Sequence, residues 1–151
     1  MNRDAARDPR RRSTTWARRW KQGLLVVLIV VAAGYLAVCW SIGAGVRAIS
    51  DQALRAHPGE QSAALAAFVE SEHESFRDRN RAIWALGQLG DRGALPVLEK
   101  YYTGSPPGGK EDQSHELSQY ELMKAIALCK GATNITALVW RHGALAAKGR
   151  R

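Results

Sequence analysis

Between Gly23 and Val46 the chain carries no charged side chain; the run reads GLLVVLIVVAAGYLAVCWSIGAGV. A helix over this run covers about 36 Å, enough to cross a hydrocarbon core of about 30 Å with some tilt. In lipid every backbone amide must be satisfied internally, so a helix is the single-segment solution. Trp20 and Trp40 lie near opposite ends, where amphipathic indoles favour the interfaces. No second apolar run approaches the length of a span, which excludes a multi-spanning transporter. The rest of the 151 residues allows one small domain beside the anchor. Two Cys and 14 Gly without a period exclude disulfide-rich and collagenous classes.

Charge gives the run a direction. The net charge of +8 is concentrated at the N-terminus, where Arg3, Arg7, Arg10, Arg11, Arg12, Arg18, Arg19 and Lys21 face only Asp4 and Asp8. Just after the run come only Arg47 and Arg55. The positive-inside rule puts the N-terminus in the cytoplasm, the protein in the cell (inner) membrane as a single-pass chain, and the C-terminal part on the extracytoplasmic side. A basic tail beside a span attracts anionic lipid headgroups, which accounts for the pI near 10 without a nucleic-acid partner. Cleaved forms are the alternative. Gly43-Ala44-Gly45 offers a small-residue cleavage site, Leu36-Ala37-Val38-Cys39 is a poor lipobox, and Arg18-Arg19 is a partial twin-arginine signal. The apolar stretch is long for a leader, so the retained anchor is preferred.

Periodicity organises the rest as all-α, a single N-terminal transmembrane helix followed by a short α-solenoid. The expected divisions are a basic cytoplasmic tail over 1–22 (disordered to about residue 15), the span over 23–46 and a juxtamembrane helix or linker over 47–58. A helical domain over 59–142 and a basic tail over 143–151 complete the chain. Within the domain, Leu65, Phe68 and Val69 mark one helix. Ser75 as N-cap with Asp78 at N3 opens another that runs to Gly90. Ala94, Val97, Leu98 and Tyr101 mark a third at i, i+3, i+4, i+7. The glycine- and proline-rich stretch from Gly104 breaks periodicity to about Ser114. A helix over His115–Lys130 follows, and then one capped by Thr133 that carries Ile135, Leu138 and Val139. The tail from Gly143 is expected to fray.

The stretch Arg79–Leu98, RNRAIWALGQLGDRGALPVL, closely resembles a HEAT repeat of the phycobilisome-lyase-like type. That family's pattern is an Arg-containing start, an Ala-rich helix ending Ala-Leu-Gly-x-Leu-Gly-Asp, then Ala-Leu-Pro-x-Leu. A second unit over 118–140 overlays the first at a shift of about 42 residues, the period of a two-helix solenoid repeat. It departs from the pattern, with Cys129 where Gly87 stands and no Leu-Gly-Asp turn. The physics of the pattern is legible: Ala82 and Ala85 let helices approach, Gly87 removes a side chain at a contact, and Gly90 supplies a left-handed cap. Pro96 falls in a first turn, where its missing N–H costs nothing.

Chemistry is sparse. His57, His73, His115 and His142 have no second ligand at metal spacing, and no phosphate loop or nucleophile elbow is present. No catalytic residue, metal ligand or cofactor is expected. Glu70, Glu72 and Glu74 read as a solvated helix end, and Cys129 as a small core residue. The HEAT resemblance implies a protein-binding surface, so the expected function is a membrane-anchored, non-enzymatic interaction module or scaffold. Trp84, Tyr101, Tyr102 and Trp140 are the side chains most able to anchor an unidentified protein partner, and core packing is the competing role for each. Within the span, Ala33, Ala37, Ser41 and Gly45 recur at i+4. Such a small-residue ridge permits self-association or docking in a membrane complex. The resemblance also implies a runner-up, an enzyme or enzyme accessory of the bilin-lyase type.

Overall fold

A computed structural model describes residues 10–105, 108–109 and 111–148, with side chains described for 19–105, 108–109 and 111–141. The expected tail residues 1–9 and 149–151 lie outside the described residues. The described secondary structure is entirely helical: α1 (Arg10–Ala56), α2 (Gln61–Glu70), α3 (Phe76–Leu89), a 3-10 turn (Arg92–Ala94), α4 (Leu95–Tyr101), α5 (Gln119–Cys129) and α6 (Ile135–Lys148). The chain divides into two compact units, Met1–Val38 and Cys39–Arg151.

The first unit contains the helical residues from Arg10 to Val38. Six residues expected to be disordered, 10–15, are therefore part of a helix. From Leu24 to Val31 every side chain is 57–64% exposed, so this stretch is apolar all round and uncovered among the described residues. Helix α1 is long and apolar enough to cross a membrane, unlike a helix packed on a domain, which shows one apolar stripe.

The second unit begins inside the uncharged run. Cys39, Gly43 and Val46 are buried there, followed by Ile49, Ser50 and Ala53. The stretch 47–58, expected as a juxtamembrane helix or linker, is helical to Ala56 and supplies Ile49 and Ala53 to the core, both at 0% exposure. The other walls of that core are Leu65, Phe68 and Val69 of α2, Ile83 and Leu86 of α3, Leu98 of α4, Leu122 and Ile126 of α5, and Trp140 of α6. Each such large side chain contributes about 1.5–3 kcal/mol when fully buried. Helix α3 packs against both α2 and α5, and α4 lies against the same two helices. The α3–α4 pair is therefore the middle of the stack.

Local chemistry explains the boundaries. Ser75 Oγ accepts from Asp78 N–H at 3.1 Å and donates to the Asp78 carboxylate at 2.8 Å, which starts α3. Gly90 ends it at φ 64°, where a side chain would be strained. A Cβ on Gly87 would stand 2.8 Å from Ala125 Cα, so the α3–α5 approach requires glycine there. Helix α5 starts at Gln119, later than expected, because Ser118 caps Glu121 N–H at 3.1 Å. Glu111 accepts from Gln119 and Tyr120 N–H at 2.6 and 3.1 Å, a carboxylate at the positive end of the helix. His115 lies in the preceding turn. The cap of α6 is Asn134, which accepts from Ala137 N–H at 3.1 Å; Thr133 was the expected residue. The helix continues to Lys148, through the Gly143 at which fraying was expected.

Candidate functional site

The expected small-residue ridge divides between the two units. Ala33 and Ala37 are exposed in the first, and Ser41 is exposed in the second. Gly45 is already used: a Cβ there would lie 3.2 Å from Trp84 Cη2. Two residues earlier, a Cβ on Gly43 would lie 3.2 Å from Trp140 Cβ. Two indoles, from α3 and α6, thus seat on the two glycines where α1 has no side chain of its own.

That seating corrects part of the aromatic set proposed for partner contact. Trp140 is only 8% exposed and belongs to the core, with its indole N–H unpartnered among the described residues. Trp84, Tyr101 and Tyr102 are half-buried and packed against the core. Tyr101 has a neighbour that sequence reasoning did not assign. Arg79 is 7% exposed, donates through Nε to Val69 O at 2.7 Å, and places its guanidinium 5.8 Å from the Tyr101 ring centroid and 5.4 Å from that of Phe76. A cation over two rings, bonded to a carbonyl in the last turn of α2, satisfies both the aromatic quadrupoles and the helix dipole. The arginine at the head of the repeat pattern therefore works as an interhelical clamp.

A groove of about 300 Å³ opens beside Trp84, lined by Arg77, Asn80, Arg81, Gln113 and Glu121. Its construction is specific. Asn80 is 4% exposed and spends its amide on the loop before α5: Nδ2 donates to Gln113 O at 3.2 Å and Glu116 O at 2.9 Å, and Oδ1 accepts from Ser118 N–H at 2.8 Å. This fixes the loop wall against α3. Arg77, Arg81 and Trp84 follow one another at i, i+4 and i+7, on the α3 face away from its buried residues. Arg81 pairs with Asp78 at 3.3 Å and Glu121 with Lys124 at 3.7 Å; no ion pair joins the groove's arginines to Glu121 among the described residues. The arginine–tryptophan spacing was visible in the sequence. The opposite wall was not, because it depends on how an aperiodic loop closes on Asn80.

Elsewhere the titratable groups serve structure. Glu60 caps α2 by accepting from Ser62 and Ala63 N–H at 3.0 and 3.1 Å. Ser62 Oγ also meets Glu60 at 2.6 Å and Asp91, and Asp91 accepts from Gly93 N–H at 2.9 Å. The Ser62 hydroxyl, followed by these backbone N–H groups, holds both carboxyls below their ordinary values. Burial, reinforced by the Asp91 charge, pushes the Cys129 thiol up to about 11, so it stays neutral and lies 3.6 Å from Leu86 O. Of the expected acidic helix end, Glu70 pairs with Lys100 at 2.7 Å. Among the described residues no three His, Cys, Asp or Glu come together to hold a metal ion.

No curated protein and no solved structure matches the chain. One family model does, and it falls on the unit that Arg79, Gly87 and Gly90 organise. Residues 78–103 match the PBS lyase HEAT-like repeat, so α3, the 3-10 turn and α4 form a HEAT-type repeat.

Proposed function

We propose that the chain is a single-pass membrane-anchored helical-repeat protein whose C-terminal unit is a non-enzymatic interaction module. The observation that carries this reading is the change along α1. The stretch from Leu24 to Val31 is bare on every side, while Cys39 to Ala53 supplies buried residues to the repeat unit. A leader cleaved at Gly43–Gly45 would remove Cys39 and Gly43 from that unit and uncover Trp84 and Trp140. Retention of the whole helix keeps the unit complete. The basic residues before the run support a cytoplasmic N-terminus and an extracytoplasmic repeat unit. The HEAT-type repeat supports a binding role, and a neutral buried Cys129 supplies no nucleophile. The test is alkaline carbonate extraction of membranes with a C-terminal reporter that is active on one side only. Membrane retention at full length with extracytoplasmic reporter activity is expected. Release by carbonate would overturn the anchor, and cytoplasmic activity would overturn the sidedness.

A further inference from the structure

The groove beside Trp84 has a charge arrangement that the packing of the fold does not require. Arg77 and Arg81 are exposed on α3, and Glu121, four-fifths buried by its side chain, lines the same groove from α5. Opposite charges share about 300 Å³ without meeting. Glu121 stands at N3 of its helix behind a serine N-cap, where a glutamate ordinarily bonds back to the cap N–H. Here that N–H is taken by Asn80 Oδ1 at 2.8 Å, so the carboxylate does not bond back to the cap; it lines the groove with Lys124 at 3.7 Å from one oxygen. We infer that the groove binds a phosphoethanolamine headgroup, with the phosphate at Arg77 and Arg81 and the ammonium at Glu121 beside Trp84.

Each part of the headgroup has a matching partner. Guanidinium groups bind phosphate oxygens through charge-assisted hydrogen bonds. A primary ammonium donates hydrogen bonds to a carboxylate and to the Gln113 side chain, and is attracted by an indole face. Choline has no N–H to donate and is recognised by cages of several aromatic rings; this groove has one. The lipid source is favoured by position. Trp84, which lines the groove, also rests on Gly45, in the last turn of the uncharged run ending at Val46. The repeat unit begins at Cys39, so a span that ends before it lies within about 10 Å of Gly45 along the helix, near the headgroup layer. This step rests on the membrane-anchored reading; the pairing of charges in the groove does not.

The test uses the full chain purified in mild detergent, with native mass spectrometry of phosphatidylethanolamine, phosphatidylcholine and phosphatidylglycerol of identical acyl chains. Soluble glycerophosphoethanolamine is titrated separately by calorimetry. Phosphatidylethanolamine is expected to be retained at least tenfold better than phosphatidylcholine. Arg77→Gln with Arg81→Gln should abolish retention of both phosphatidylethanolamine and phosphatidylglycerol at an unchanged melting temperature. Glu121→Gln should remove the preference for ethanolamine and leave phosphatidylglycerol binding intact or stronger. Binding of glycerophosphoethanolamine without lipid retention would assign the groove to the free phosphodiester. If carbonate releases the chain from membranes while glycerophosphoethanolamine still binds, the anchor fails and the groove's chemistry stands. Equal retention of the three lipids, a preference that survives both sets of substitutions, or occupancy by an acidic peptide in place of any phosphoethanolamine would overturn the proposal.

Discussion

Two stretches of one helix have opposite surroundings. From Leu24 to Val31 the side chains of α1 are 57–64% exposed, whereas Val46, Ile49 and Ala53 are 0–1% exposed within the repeat unit. The difference is side-chain size at the contact: Leu, Val and Ile project on every side of the first stretch, while Gly43 and Gly45 open seats for Trp140 and Trp84 in the second. Lipid tails conform to any apolar surface, but protein packing needs a matching shape. Gly43 and Gly45 thus mark, within the uncharged run, where α1 packs against the two tryptophans.

The comparison breaks most visibly on truncation. A chain starting at Cys39 keeps every wall of the core and should melt cooperatively in mild detergent, as followed by circular dichroism. A chain starting at Gly59 lacks Val46, Ile49 and Ala53. At about 1.5–3 kcal/mol for each of the two large side chains, that loss reaches the lower end of the total stability of a domain, about 5–15 kcal/mol. It should show no cooperative transition. Point charges make the same cut more finely. Ile49→Arg buries an unpaired cation, at a cost of about 3–5 kcal/mol, and should unfold the repeat unit while leaving membrane association intact. Val30→Arg should do the reverse, impairing insertion by about 2.5–3.5 kcal/mol with the repeat unit still folded. Carbonate extraction and thermal melting of both variants, read together, check the reciprocity.

Smaller changes sharpen the boundary. Gly45→Leu collides with the Trp84 ring and should cost about 1–3 kcal/mol through overpacking. Gly34→Leu, with nothing within 4 Å of its Cβ position, should leave the melting temperature unchanged. Equal effects would mean that the two stretches are not differently packed. With Gly45 occupied, the ridge available to a second helix shrinks to Ala33, Ala37 and Ser41. Replacing Ala37 and Ser41 by Leu should weaken any association through the span by about 0.6–2 kcal/mol, measured by energy transfer between labelled chains in vesicles. The smallest effect is electrostatic. Glu60 and Asp91 have folded values below their ordinary 4.5 and 3.8, so their contribution is complete above those values. It is lost as pH falls through the lowered ones. Ser62→Ala removes the hydroxyl that does most to lower both. Melting temperature measured from pH 6 to 2.5 should then fall less steeply on the acid side. An identical profile would place the acid sensitivity elsewhere.

Much of the repeat was legible in the residues because its determinants are local. Ser75 and Asp78 as a cap, Gly90 as a left-handed terminus and Pro96 in a first turn act within a few positions, so the order of types along the chain suffices. Gly87 is a step further: its role at a helix contact was readable, but its neighbour, Ala125, was not. The helix starts at Gln119 and Ile135 escaped sequence reading because the deciding groups are Glu111, held by a folded loop, and an asparagine one position from an equally plausible threonine.

By itself, then, the sequence determined an uncharged run long enough to span a bilayer, a basic flank before it, and one HEAT-type unit of two helices. Hydropathy, charge and capping are properties of near neighbours, and near neighbours are what a sequence lists. Only the tertiary structure decided that the uncharged run is shared between two surroundings, that Trp140 is core, that Arg79 clamps α2 to α4, and that Glu121 faces two arginines across a groove. Each of these depends on side chains many positions apart coming within a few ångströms. Shape complementarity selects that pairing among many of equal hydrophobicity, and period and composition carry no record of it.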